Sequence, residues 1–349
     1  MKKVKRTRRR RQRNPFWAHL SDEDLLDLRF SDLNLKIEQS DLQPLIQRLY
    51  SELERRGLQL RPPCWLSSEW FSPHDLPGIA IPFYLAHPRL RSLERRMMKE
   101  VEGGTRSSCM KLLRHEAGHA YEAAYRMGLR RRWARLFGRS SEAYPKYYSP
   151  NPQSKSYVLH LDWWYAQSHP VEDFAETFAV WLRPGSDWRD RYRDWPALKK
   201  LEYVDALMAE LRGTPPLVKP GPPMDPLHRL RQKLREHYQE KHARYNVDPP
   251  RFYDMDLLRL FPPSLRPDSR PPAAGFLHRI SPRLRQRVAS WTGEHAYVVN
   301  QVLKDMMQQC RELDLRVSRR KRETLLETAI MLTKRTMNFL NSRGHRLAI

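Results

Sequence analysis

The sequence predicts an α+β chain, with a small mixed sheet and several helices in its N-terminal part and a mostly α-helical C-terminal extension. Three observations carry that prediction. Two short aromatic or β-branched runs bounded by prolines, 64–71 and 79–86, read as strands. Apolar residues recur at helical spacing in several separate stretches, and the chain closes on two long amphipathic segments with no strand signal between them.

Taken in order, residues 2–13 (KKVKRTRRRRQR) carry nine positive charges and no acid, so 1–14 is expected to be a disordered arm. Asp41 to Arg56 has Leu42, Leu45, Ile46, Leu49 and Leu53 on one helical side and stops at Gly57. The two strand candidates follow. Pro82 makes the second an edge strand, because proline cannot donate to a ladder on both sides. After Gly103-Gly104 a helix is expected over about 107–127, ended by Gly128. Residues 143–160 read as an ordered surface loop rich in Tyr, Pro, Ser and Asn. Pro170 then opens a helix that runs to about Leu182, since proline suits the first helical position. A further helix is expected over 195–211.

Residues 214–226 (TPPLVKPGPPMDP) should form a stiff linker or a strap on the surface. Beyond them, 227–243 reads as a basic helix, 245–283 as irregular and proline-rich, and roughly 294–313 and 319–341 as two helices whose apolar stripes pair with each other. The organisation expected is an arm (1–14), a domain (15–213), a linker (214–226) and a basic, mainly helical region (227–349).

The chain has 349 residues, a formal charge of +24 and 40% hydrophobic residues. That is enough apolar material for one good-sized core or two modest ones. The charge would attract nucleic acid or another polyanion weakly through the arm and tail, but names no partner. Three scattered cysteines, Cys64, Cys109 and Cys310, suggest neither disulfides nor a thiolate metal cluster. A monomer in the reducing cytoplasm is expected, with neither a signal peptide nor a membrane span.

The chemistry-bearing pattern is HEAGH at 115–119. Positions four apart share one face of a helix, so His115 and His119 can present both imidazoles to one tetrahedral Zn2+. Glu116 is turned by about 100 degrees and can reach a water at the metal without ligating it, as a general base must. Fifty residues later HPVEDFAETFA (169–179) places Glu172 and Glu176 on one face of a second helix. One carboxylate can complete the metal site while the other accepts the remaining ring N–H of a ligating histidine. A blander origin exists for the first of them: with His169 as N-cap, Glu172 falls at the third helical position, where an acid is favoured without any metal. Trp163, Trp164 and Trp181 read most simply as core.

HEAGH with HPVEDFAETFA resembles the gluzincin type of metallopeptidase, and specifically a bacterial family of zinc-binding metallopeptidases. The likeness extends from about Leu60 to Leu211, through CWLSSEWF, PGIAIPFYLAHPRL and WPALKKLEYVD. It implies a zincin-like domain, a bound zinc and peptide or protein substrates. A glutamate helix of this form, with a tyrosine seven residues before its first glutamate, is similar to that of lethal-factor-like peptidases. By position that implies Glu172 as third ligand, Glu176 as its supporting partner and Tyr165 as a donor to the developing oxyanion. His169 is an alternative donor, and His169 or Asp173 an alternative ligand should the helix start differently. A competing expectation is a polyanion- or nucleic-acid-binding protein whose zinc site is structural or vestigial, resting on the arm and on basic helix faces at 227–244 and 319–322.

Overall fold

The computed structural model describes residues 14–342, apart from 146, 149, 152, 245–253 and 264–269, together with 347–348. The expected arm thus lies outside the described residues except for Asn14. Along the chain come α1 (Asp22–Leu26), α2 (Leu42–Arg55), β1 (Cys64–Ser67), β2 (Ile79–Pro82), α3 (Pro88–Met98), α4 (Arg106–Tyr125) and α5 (Arg131–Phe137). They are followed by β3 (Tyr147–Tyr148), α6 (Pro170–Leu182), α7 (Trp188–Arg191), α8 (Leu198–Glu210) and α9 (Leu234–Arg244). The rest is α10 (Asp254–Leu260), α11 (Ala273–Thr292), α12 (Ala296–Glu312), α13 (Lys321–Ser342) and β4 (Leu347–Ala348).

β1 and β2 pair in parallel, with Cys64 opposite Ile79 and Ser67 opposite Pro82. β2 is not the exposed edge that Pro82 suggested. Phe71 curls back to its other side and exchanges two backbone hydrogen bonds with Ala80, and all four β2 residues are buried. Pro82 is tolerated because it is the last residue of the strand, where the chain turns into a 3-10 segment, Phe83–Ala86.

Among the described residues, two hydrophobic clusters form. The first gathers α2, the small sheet, α3, α4, α6 and α8, and also takes in Leu227, Leu234 and Tyr238. The basic helix α9, grouped with the C-terminal region on sequence, therefore packs on the first cluster. Tyr238 donates to Glu94 at 2.7 Å, and Lys241 lies 3.1 Å from both Glu94 and Glu69. The proline-rich segment before it is strapped down: the Trp65 indole donates to Met224 O and Ser67 Oγ to Asp225 O, at 2.8 Å each.

The second cluster is built from α10 to α13. Its central helix, α11, occupies residues read as partly irregular, and it packs against both α12 and α13, which touch each other only lightly. The expected hairpin of the last two helices is thus a three-helix packing. Pro282 misled the sequence reading, since it lies inside α11 and proline ordinarily breaks a helix. This cluster meets the segment after α3 through His295, 2.6 Å from Glu100, and meets α9 through Tyr297, whose ring stacks on His242. Among the described residues, no helix is long and apolar enough to cross a membrane.

Candidate metal centre

α4 starts cleanly because Thr105 and Ser108 cap it reciprocally, and it ends at Arg126, which takes the left-handed conformation two residues before the glycine expected to stop it. Between those ends it is buried on almost every side, as a helix crossing the middle of a core must be. Arg114 fixes its rotation, making a two-pronged ion pair to buried Glu52 of α2 at 2.7 and 2.9 Å. α6 crosses it, with every residue from Val171 to Leu182 buried and Trp181 in the core. The crossing is close because position 118 is glycine. A Cβ there would lie 2.8 Å from the Cα of Ala175.

That crossing brings His115, His119 and Glu172 together, with their ligand atoms within 4.8 Å of one another. The three nearest atoms form an almost equilateral triangle: His115 Nε2 to His119 Nε2 is 3.0 Å, His115 Nε2 to Glu172 Oε2 is 3.0 Å, and His119 Nε2 to Glu172 Oε2 is 3.2 Å. Ligands of a tetrahedral zinc at about 2.05 Å are separated by roughly 3.3 Å, so the triangle has the dimensions such an ion requires. Glu176 of α6 sits behind it and accepts the Nδ1–H of His115 at 2.8 Å, while its other oxygen accepts the Leu161 N–H at 2.8 Å. With its proton on Nδ1, a neutral His115 must present the lone pair of Nε2 to the triangle.

Electrostatics agrees with a site built for a cation. Burial would lower the His115 pKa, yet its hydrogen bonds to Glu172 and Glu176 hold it well above the usual histidine range. Burial likewise opposes ionisation of Glu172, but attraction to His119 and hydrogen bonds to both imidazoles keep its carboxyl well below the usual range. Three acceptor atoms facing one another need positive charge between them. A proton on His115 meets that need when a metal does not.

Glu116 is buried, and its Oε2 accepts a 2.8 Å hydrogen bond from Ser72, in the turn between β1 and β2. Tyr165 lies beside His115, with ring centroids 5.7 Å apart. His169 is not brought to the triangle. Its Nδ1 accepts the Val171 N–H at 3.2 Å, capping α6, and its Nε2 donates to Glu142 O at 3.0 Å, so both nitrogens are committed. The same cap recurs away from the site, where His87 precedes Pro88 and accepts the Arg89 N–H at 3.1 Å. Asp173 also points elsewhere, 2.5 Å from Lys200, and burial pushes its carboxyl up to about 7 despite that lysine.

Sequence reasoning missed two residues. Ser72 holds Glu116, and Tyr144 donates to Glu172 Oε1 at 2.8 Å while its ring stacks on His169 at 3.8 Å. Burial and the neighbouring Glu172 push the Tyr144 phenol up, so it stays a donor. Neither residue stands at a fixed helical interval from a ligand. Only the density of tyrosines in 143–160 hinted at a role for that loop.

Residues 67–186 match the family described as "Putative zinc-binding metallo-peptidase". The matched stretch begins at the last residue of β1 and contains β2, α4, the tyrosine loop and α6, and so every residue placed at the triangle. It is narrower than the Leu60–Leu211 likeness read from motifs. No curated protein and no solved structure gives a significant match.

Proposed function

We propose that the chain is a zinc-dependent peptide hydrolase of the gluzincin type, with a zincin-like domain over 15–213, and that His115, His119 and Glu172 hold the metal. The observation that carries this reading is the buried His115–His119–Glu172 triangle, of tetrahedral-edge dimensions, with a carboxylate, Glu116, on the residue next to its first ligand. A structural zinc site has no use for a base there. Zinc bound in the triangle would polarise a substrate carbonyl and make a water acidic enough to act near pH 7.

The protein's own groups then divide the work. Glu116, held by Ser72, takes the proton from the attacking water and returns it to the departing amine. Tyr144 engages the Glu172 oxygen that is not part of the triangle, so Glu172 offers one oxygen rather than two. Glu176 fixes the tautomer of His115. Tyr165 is the donor assigned to the developing oxyanion, its phenol kept protonated by burial and by Glu172.

The test is Glu116→Gln in the zinc-loaded protein, assayed on a peptide library and on casein. Zinc content and fold should be retained while turnover falls by roughly 10²- to 10⁴-fold. Undiminished cleavage by the variant would remove Glu116 from the mechanism.

A further inference from the structure

β3 borders the metal triangle. Four residues before it ends, Tyr144 donates to Glu172, and the Tyr148 ring meets Tyr165 edge-on at 6.3 Å beside His115. Its partner is β4, antiparallel, with Tyr147 opposite Ala348 and Tyr148 opposite Leu347. β4 comes from the far end of the chain. It follows α13, which packs in the second cluster, and only four residues, 343–346, join Ser342 to Leu347. The other strand with a claim to receive an extended peptide, β2, is enclosed by β1 on one side and Phe71 on the other.

Strand edges take up extended polypeptide through backbone hydrogen bonds, with little regard for its sequence. We propose that β3 is the docking strand for extended polypeptide substrates and that the chain's own β4, Leu347–Ala348, occupies it as a tethered competitor. This rests on the peptidase reading for its consequence, slower turnover, though not for the occupancy itself. A ladder of two residue pairs is weak in isolation. A short tether raises its effective concentration to about the millimolar range, which makes the tail a brake that substrate can displace rather than a permanent block.

The probe is a fluorescein-labelled peptide of sequence RGHRLAI, residues 343–349, titrated with zinc-loaded protein and followed by anisotropy. A chain ending at Ser342 should bind it, and the full chain should bind it at least about tenfold more weakly because the site is already taken. A full-length Leu347→Pro, Ala348→Pro variant should bind like the truncated chain. Alternate residues of an antiparallel pair bond across the ladder, so one of those two N–H groups faces β3, and proline removes both. With casein as substrate, either release should lower KM several-fold and leave kcat unchanged. Equal probe binding by the full and shortened chains, or binding by neither, overturns the proposal. If the peptidase reading alone is wrong, casein stays uncut by every version while the difference in anisotropy persists.

Discussion

Glu176→Gln isolates what the carboxylate behind His115 contributes. Both oxygens of Glu176 accept N–H groups at 2.8 Å, one from His115 Nδ1 and one from the Leu161 backbone. Glutamine has a single acceptor oxygen, so its amide nitrogen must face one of those two donors. The Leu161 N–H cannot move, whereas the His115 proton can. The least costly arrangement gives the amide oxygen to Leu161 and turns the NH2 to His115, whose Nδ1 then accepts and whose proton shifts to Nε2. That proton now sits on the atom offered to the metal and must be returned to Nδ1, against the amide, before zinc can bind. Loss of such a partner costs roughly 10- to 100-fold in metal affinity, equivalent to about 1.4–2.7 kcal/mol. Competition with a fluorescent chelator at pH 7.5 measures this, and nitrogen-15 NMR of the metal-free protein, taken at a pH high enough for His115 to be neutral, reads the tautomer directly. Zinc affinity within about twofold of the parent, in a folded variant still protonated at Nδ1, would refute the reasoning.

Gly118→Ala should destabilise the chain by about 1–3 kcal/mol and weaken zinc binding, because the new methyl meets backbone of Ala175 rather than a side chain able to yield; thermal unfolding and chelator competition check both effects. Asp173→Asn should separate stability from binding: it leaves buried Lys200 without its carboxylate, at a cost of about 3 kcal/mol, while the folded fraction keeps its zinc affinity, whereas Glu172→Gln should abolish tight binding. Zinc uptake should also release a proton. In the metal-free site His115 is held protonated well above its usual range, so below that raised pKa its proton must leave before Nε2 can bind, and affinity should fall as pH falls; calorimetry in buffers of different ionisation enthalpy at pH 7 would show no proton release if this is wrong.

The parts of the site legible in the sequence are those written at helical spacing. His115 and His119 are four apart on α4, Glu172 and Glu176 four apart on α6, and a rigid helix turns each interval into one face. What the spacing could not say is how the two helices approach. Gly118 and Ala175 decide that, and a glycine inside HEAGH is as consistent with an open cleft as with the tight crossing found. His169 shows the reverse error. A histidine three residues before a candidate ligand carboxylate resembles a catalytic donor until its hydrogen bonds are traced, and the His87–Pro88 pair is the sequence clue that the same dipeptide simply starts helices here.

Loop and long-range features were illegible for a different reason. Ser72 and Tyr144 reach the site from turns whose conformation depends on what they pack against, so no interval in the sequence encodes the contact. α11 was hidden by Pro282, which can remain in a helix because the missing N–H costs less than exposing Phe276, Leu277, Leu284 and Val288 to water would. That comparison also yields a test. Replacing Pro282 by alanine restores a backbone donor without altering the buried stripe, and should stabilise the second cluster by up to about 3 kcal/mol if the straight helix is its preferred state. A loss of stability on the same substitution would mean that a bend at Pro282 is needed for α11 to touch α12 and α13 at once.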